Sequence, residues 1–187
     1  PRKFKAVLLE KEGLCAGSTS KSVGVIYLQH STRVEIELIQ WTLEIIHVLE
    51  ERSQSRFDFN RIGFIQLCHG NEEADQLMQN LSLQKAASVQ VHWLKRQDLL
   101  QIIPQLTVSD ISGATFTPED GYLDPYLLTT AMAKRARDAG VTIEIGSEVE
   151  DVIVEKERVR GVMTNKGKIE GFPRSLFEVF HTLDTIP

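Results

Sequence analysis

The feature that most constrains the fold is a short apolar strand near the start of the chain that ends in an acid. Phe4 to Leu9 form the strand, and Glu10 closes it. In an open parallel sheet, an acid in this place accepts hydrogen bonds from the hydroxyls of a nucleotide ribose. Residues 17–24 follow with the sequence GSTSKSVG, whose hydroxyls and backbone N–H groups suit a pyrophosphate. Together they predict one part of a dinucleotide-binding site.

The other part of such a site is not contained in the sequence. A dinucleotide-binding fold begins with a strand and a G-x-G-x-x-G turn about 20 residues before the acid. Only nine residues precede Glu10, and the chain begins at Pro1 rather than at a methionine. We therefore expect the sequence to be an internal piece of a longer polypeptide.

Composition and charge exclude several classes of protein. Of 187 residues, 42% are hydrophobic and 25% are charged, which allows a packed core and argues against disorder. No apolar run reaches the roughly 18 residues of a membrane helix, and no leader is visible, so a cytoplasmic protein is expected. The formal charge of -5, with Lys and Arg dispersed, argues against a nucleic-acid partner. Cys15 and Cys68 lack a nearby cysteine and the histidines lack ligand spacing, so no metal site is predicted.

Periodicity predicts one long helix over residues 33–51. Its main apolar stripe is Val34, Leu38, Trp41, Ile45 and Val48, and this stripe is widened by Ile36, Ile39, Leu43 and Ile46. Because so much of its surface is apolar, we expect most of this helix to be covered.

Capping signals and alternation predict the other elements. Asn71 is the predicted N-cap of a second helix, whereas Asp124 caps a helix that begins with Pro125 and stops at Gly140. A short helix is predicted at 95–103. Strands are predicted at 62–68, 89–93, 141–145, 149–154 and 159–164.

Four strings of the sequence occur in an order that is typical of one family. They are AVLLEKEGLCAGSTSKSVGVI, RIGFIQLCHGNEEADQL, FTPEDGYLDPYLLTTAMA and GVTIEIGSEVEDVIVEKERVRGVMTNKGKI. With them the chain resembles the N-terminal half of the flavin-dependent amine oxidoreductases, the family of glycine oxidase, D-amino-acid oxidase and the sarcosine oxidase β subunit.

The resemblance implies an α/β fold, a partial FAD-binding Rossmann-like domain with an inserted α+β segment of the substrate domain. The implied division has four parts. Residues 1–55 are a partial FAD-binding domain, 56–122 are part of the substrate-binding domain, 123–170 return to the FAD-binding domain with a small antiparallel sheet, and 171–187 are a divergent tail.

The resemblance also implies which residues hold FAD. Glu10 corresponds to the acid on the adenosine ribose and Lys11 to the residue beside the adenine. The remaining assignments are Ser18, Thr19 and Ser20 near the pyrophosphate, Gly24 and Val25 beside the flavin, and Val149 with its backbone against the adenine. From the residues alone, Ser18 to Ser20 are equally a polar turn or a helix cap. Some relatives attach flavin covalently through a histidine in this loop. Lys21 stands at that position here, so the resemblance excludes this covalent linkage.

The activity implied is the oxidation of an amine or amino acid such as sarcosine, glycine or proline, with hydride transfer to flavin N5. The implied partners are a small-molecule amine and either oxygen or an electron-acceptor subunit. Tyr27, Gln29 and His30 follow the segment beside the flavin, and His30 is a candidate for positioning the amine. The favoured alternative is a hydrogen-bonded loop histidine. For the whole chain, a nicotinamide-dependent dehydrogenase and a truncated non-catalytic remnant remain as alternatives.

Overall fold

The structure, a computed structural model, describes residues 5–52 and 59–171. The predicted tail lies outside the described residues except for Gly171, and so does Phe4 of the opening strand. The helices are α1 (Arg33–Arg52), α2 (Gly70–Ala86), α3 (Arg96–Ile102), α4 (Pro125–Asp138) and a short 3-10 helix (Ser18–Lys21). The strands are β1 (Val7–Glu10), β2 (Val25–Ile26), β3 (Asn60–Arg61), β4 (Phe64–His69), β5 (His92–Leu94), β6 (Ile111–Thr117), β7 (Gly121–Tyr122), β8 (Thr142–Ile145), β9 (Val149–Glu155), β10 (Arg158–Thr164) and β11 (Gly167–Glu170).

The chain forms two compact units. Unit 1 consists of Pro1–Ser22 and Leu128–Pro187, and unit 2 consists of Val23–Leu127. This mixed α/β architecture is the fold class that the sequence predicts. The four-part domain division of the sequence stays a prediction.

Unit 1 is built on a parallel pair of strands and a small antiparallel sheet. Strands β1 and β8 pair in parallel, and β9, β10 and β11 form the antiparallel sheet with β10 in the middle.

Helix α4 begins in unit 2 and continues into unit 1. The cap predicted for it is confirmed, because Asp124 Oδ1 accepts the N–H groups of Tyr126 and Leu127 at 2.8 and 3.2 Å. Gly140, with φ of +91°, provides the left-handed residue after this helix, which is typical of a helix end.

Unit 2 contains two antiparallel sheets and two hydrophobic clusters. The sheets have the strand orders β4-β6-β5 and β2-β7-β3. One cluster joins the segment before α1, α1 itself, α2 and the segment before β5, through Leu28, Ile36, Leu81, Val89 and Val91. The second cluster packs α3 against β6 through Leu99, Ile111 and Ala114.

Helix α1 confirms the predicted span but not the predicted buried face. Of the main predicted stripe, Val34, Leu38, Trp41 and Ile45 are more than half exposed, whereas Val48 is half-buried. The buried face is the one that contains Ile36, Ile46 and Leu49. The interpretation was wrong because α1 packs against Leu81, Val89 and Val91 on the Ile36 side.

Two other local predictions are corrected. Helix α2 begins at Gly70 with His69 as its N-cap, not Asn71, and Glu73 Oε2 accepts the His69 N–H at 2.8 Å. The carboxylate thereby satisfies a backbone donor at the helix start, so no cap at Asn71 is needed. Val89 and Val91 are buried but precede β5, because the Val91 N–H bonds to Val89 O in a tight turn instead of to a neighbouring strand. None of the helices in the described part of the chain has the length and apolar content needed to cross a bilayer.

Candidate cofactor-binding site

Glu10 lies at the carboxyl end of β1, next to the carboxyl end of β8. Its register partner is Ile145, and its carbonyl oxygen accepts the N–H of Ser147 at 2.8 Å. The half-buried carboxylate accepts the N–H of Glu12 on Oε1 at 2.8 Å. Within residues 5–52 and 59–171 it has no other hydrogen-bond partner and no ion pair. A carboxylate oxygen is therefore available at the end of a parallel sheet where ligands bind, and the site fits a ribose.

The loop after Glu10 forms the exposed 3-10 helix Ser18–Lys21. Ser20 Oγ donates to Gly17 O at 3.0 Å, and the Ser22 N–H bonds to Thr19 O at 3.2 Å. Lys11 is also exposed. In the described part of the chain, the hydroxyls of Ser18 and Thr19 have no hydrogen-bond partner, which leaves both hydroxyls free to donate to an anion.

Val149 begins β9, just after the loop that follows β8. Ser147 in this loop is buried, and its N–H donates to the carbonyl oxygen of Glu10. The turn between β10 and β11 holds the loop from the other side through Asn165 and Lys166. The sequence shows these two residues only as a turn, since nothing local indicates contacts with a loop about twenty residues earlier.

Gly24 and Val25 belong to unit 2. Gly24 is buried with φ of +69°, and a Cβ on it would lie 2.0 Å from the carbonyl oxygen of Leu123. The Leu123 N–H in turn bonds to Gly24 O at 3.1 Å. Val25 is exposed and pairs with Tyr122 in β7. Only glycine fits this close backbone crossing.

His30 is part of a stack of three half-buried rings. Tyr27 stacks on His30 with ring centroids 4.6 Å apart and on Phe64 with centroids 4.9 Å apart. The His30 backbone is fixed on both sides, because its N–H bonds to Leu28 O and its carbonyl accepts Gln84 Nε2 at 3.0 Å. The role of the imidazole toward substrate stays a prediction.

Gln29, next to His30, is buried in unit 2. Its Nε2 donates to Phe64 O at 2.9 Å, and its Oε1 accepts the hydroxyl of Thr115. Both ends of the buried amide are thus bonded inside the unit, so the side chain of Gln29 has a structural role there.

Asp120 is a buried acid, although it lies in the string PEDG, whose composition is typical of a turn. Its Oδ1 accepts the Leu28 N–H at 3.0 Å, and its backbone carbonyl accepts the Gly63 N–H at 2.8 Å. In the described residues neither its Oδ2 nor the hydroxyl of Thr117 makes a hydrogen bond of normal geometry, although Thr117 interacts with the carboxyl and lowers its pKa. Burial raises the pKa of the Asp120 carboxyl to about 7, and the nearby charge of Glu119 acts in the same direction, whereas the Leu28 N–H opposes both.

The structure places the predicted residues in two groups. Unit 1 contains Glu10, Lys11, Ser18 to Ser20 and Val149, and unit 2 contains Gly24, Val25 and His30. Their roles toward a cofactor stay predictions. Among the residues that the structure describes, no cluster of His, Cys, Asp and Glu has the geometry of a metal site, and Cys15 and Cys68 are free thiols.

Comparison with known proteins gives related sequences and folds. The mouse (Mus musculus) mitochondrial pyruvate dehydrogenase phosphatase regulatory subunit is 29% identical over 88% of this chain and 19% of its own length. The human (Homo sapiens) mitochondrial sarcosine dehydrogenase is also 29% identical, again over 88% of this chain and 19% of its own. The crystal structure of L-proline dehydrogenase from P. horikoshii superposes with a TM-score of 0.82 at 24% identity, over 91% of this chain and 51% of that one.

The chain therefore spans about a fifth of the two related sequences and about half of the solved structure. A family model described as "FAD dependent oxidoreductase" matches residues 2–175, nearly the whole sequence. The flavin resemblance seen in the four strings is thereby confirmed, and the chain belongs to the FAD-dependent oxidoreductase family.

Proposed function

We propose that this protein oxidises an amine or amino acid with FAD as the hydride acceptor. Membership of the FAD-dependent family supports the cofactor, and the relative named sarcosine dehydrogenase supports an amine substrate. The observation in the structure that carries the proposal is Glu10, a carboxylate with an available oxygen at the carboxyl ends of β1 and β8. The same acid would serve a nicotinamide dinucleotide, but the family match favours flavin.

The residues of this chain would hold the cofactor at its two ends and along its middle. Glu10 would accept the ribose hydroxyls, Ser18 to Ser20 would face the pyrophosphate, and the backbone at Gly24 would pass close to the flavin. When bound, FAD supplies the atom that accepts the hydride, N5 of its ring. The protein contributes orientation and the exclusion of water.

The substrate must reach the cofactor with a neutral nitrogen, because hydride leaves the carbon bonded to that nitrogen as the imine forms. A low-dielectric pocket favours the neutral amine over its ammonium form. The half-buried ring stack of Tyr27, His30 and Phe64 offers such apolar surroundings with one imidazole to bind the amine. Sarcosine, glycine and proline are the substrates to test first, with oxygen or an acceptor subunit reoxidising the flavin.

The proposal is tested on the purified native protein. It should show flavin absorbance in the visible blue, and anaerobic addition of one of the three substrates should bleach that absorbance. Glu10→Gln should raise the Kd for FAD about 10- to 100-fold, since hydrogen bonds to a charged group contribute about 1.5–3 kcal/mol. Glu12→Gln is the matched control, because Glu12 is exposed and bonds to Glu10 only through its backbone N–H. A protein that stays colourless with added FAD contradicts the proposal.

A second candidate function is a non-catalytic, regulatory role. It is favoured by one comparison, because a relative at 29% identity is named as a regulatory subunit of a phosphatase. A protein that binds FAD but leaves it oxidised in the presence of every amine tested would support this candidate instead.

A further inference from the structure

The turn between β10 and β11 is tied to the loop after β8 by four hydrogen bonds. Asn165 makes three of them, because its Oδ1 accepts the Glu148 N–H at 3.1 Å, its N–H donates to Glu148 O at 3.1 Å, and its Nδ2 donates to Gly146 O at 3.2 Å. Lys166 makes the fourth, from Nζ to Ile145 O at 2.6 Å. Two adjacent side chains thus hold every residue from Ile145 to Glu148 except Ser147.

Ser147 is held from the other side of the same loop. It is buried, and its N–H donates to the carbonyl oxygen of Glu10 at 2.8 Å. Val149, whose backbone is the predicted contact of the adenine, comes two residues later. The loop therefore connects the predicted ribose ligand with the predicted adenine contact, and the β10–β11 turn sets its position.

The bonds from the turn are polar contacts of exposed residues, so they hold the loop in place without belonging to the hydrophobic core. Lys166 brings an ammonium to a carbonyl at the carboxyl end of β8, and such charge-assisted bonds are shorter and stronger than neutral ones. Gly146 has φ of +70°, and a Cβ on it would lie 3.5 Å from Lys166 Nζ. Asn165 and Lys166 are themselves exposed. Their loss should therefore loosen the loop without opening the hydrophobic interior.

We propose that Asn165 and Lys166 are positioning residues for the adenosine end of FAD. They fix the loop from Ile145 to Val149 relative to Glu10, so that ribose and adenine are bound at the same time. The inference rests on the proposed function, since it takes the ribose to bind at Glu10. It adds a third segment, the β10–β11 turn, to the two segments that the sequence assigns to the adenosine.

The test compares cofactor binding and folding in the native protein. Asn165→Ala and Lys166→Ala should each raise the Kd for FAD about 5- to 10-fold, and the double variant should raise it further. The Kd for ADP, a probe that contains the adenosine and pyrophosphate without the flavin ring, should rise by the same factor. The melting temperature of the cofactor-free protein should stay within about 2 °C of the wild type, because surface substitutions change stability little.

Two further variants separate positioning from a general effect of charge or folding. Lys166→Arg keeps a donor to Ile145 O and should bind FAD nearly as the wild type does. Lys168→Ala removes another exposed lysine, which pairs with Glu170 at 2.8 Å and not with the loop, and should leave both Kd values unchanged. The inference is overturned if the alanine variants bind FAD as tightly as the wild type, if Lys168→Ala weakens binding equally, or if only FAD and not ADP is affected. Absence of FAD binding in the wild type would instead overturn the proposed function, on which this inference rests.

Discussion

At the scale of single residues, Asp120 is the group whose chemistry departs most from its sequence context. The string PEDG between two strands is typical of a turn, and Asp120 does lie between β6 and β7. Its carboxyl is nevertheless fully buried, because it caps the backbone of Leu28, which is 92 positions away in the chain. A contact at that sequence separation leaves no local pattern, so the turn could be predicted but the buried acid could not.

The buried carboxyl makes the stability of the protein depend on pH. The pKa of Asp120 is about 7 in the folded protein and near its ordinary value of 3.8 in the unfolded chain, so the folded state binds more protons between these values. The contribution of Asp120 to the free energy of unfolding is therefore fully present below pH 4 and is lost as the pH rises through 7. The full loss is of the order of 4 kcal/mol, since one pKa unit corresponds to about 1.4 kcal/mol.

Asp120→Asn should remove this dependence. The amide keeps an acceptor for the Leu28 N–H and does not ionise. The free energy of unfolding of the variant should therefore rise relative to that of the wild type as the pH rises from 4 to 7. Urea denaturation across that range measures the difference. Gln76→Ala, at an exposed position on α2, changes no ionisable group and is the control, with a difference that should not vary with pH. A constant difference for Asp120→Asn as well would mean that Asp120 does not titrate in this range.

At the scale of elements, the sequence predicts what local patterns determine and misses what packing partners determine. The span of α1, the Asp124 cap of α4 and the strands β9 and β10 depend on nearby residues and are confirmed within one or two positions. The buried face of α1 depends on the position of α2 and of Val89 and Val91. With apolar residues on both faces of the helix, periodicity alone could not decide which face is inside.

Matched substitutions on the two faces of α1 should therefore differ in cost. Ile36 is fully buried, whereas Leu38 is about half exposed. Ile36→Ala should lower the free energy of unfolding by about 2–5 kcal/mol, because it leaves a cavity in the cluster with Leu81 and Val89. Leu38→Ala should change it by less than about 1 kcal/mol. Equal losses in urea denaturation of the native protein would show that the Leu38 face is covered as well.

At the scale of the whole molecule, the predicted cofactor residues are distributed over both units. Local sequence patterns carry no signal for the return of the chain to unit 1 after Leu127, which only the family resemblance implied, as a return over residues 123–170. That return depends on the parallel pairing of β1 with β8, which joins strands more than 130 residues apart. Parallel pairing needs a crossover connection, and the sequence shows only the last helix and strand of it. The Glu10 end of the site was therefore predicted from sequence, whereas its neighbours Ser147, Asn165 and Lys166 were not.

The division into two units predicts which strands lose stability when Gly24 is replaced by alanine. Gly24→Ala places a methyl group against Leu123 O and a non-glycine residue at φ of +69°, which together cost at least about 1–3 kcal/mol. Because each unit is held by its own contacts, amide hydrogen exchange should accelerate in β2, β7 and the adjoining strands of unit 2 and stay unchanged in β9 to β11 of unit 1. Gly13→Ala is the control, since nothing lies within 4 Å of a Cβ there and its exchange pattern should match the wild type. If Gly24→Ala accelerated exchange equally in β9 to β11, the two units would open together as one cooperative structure.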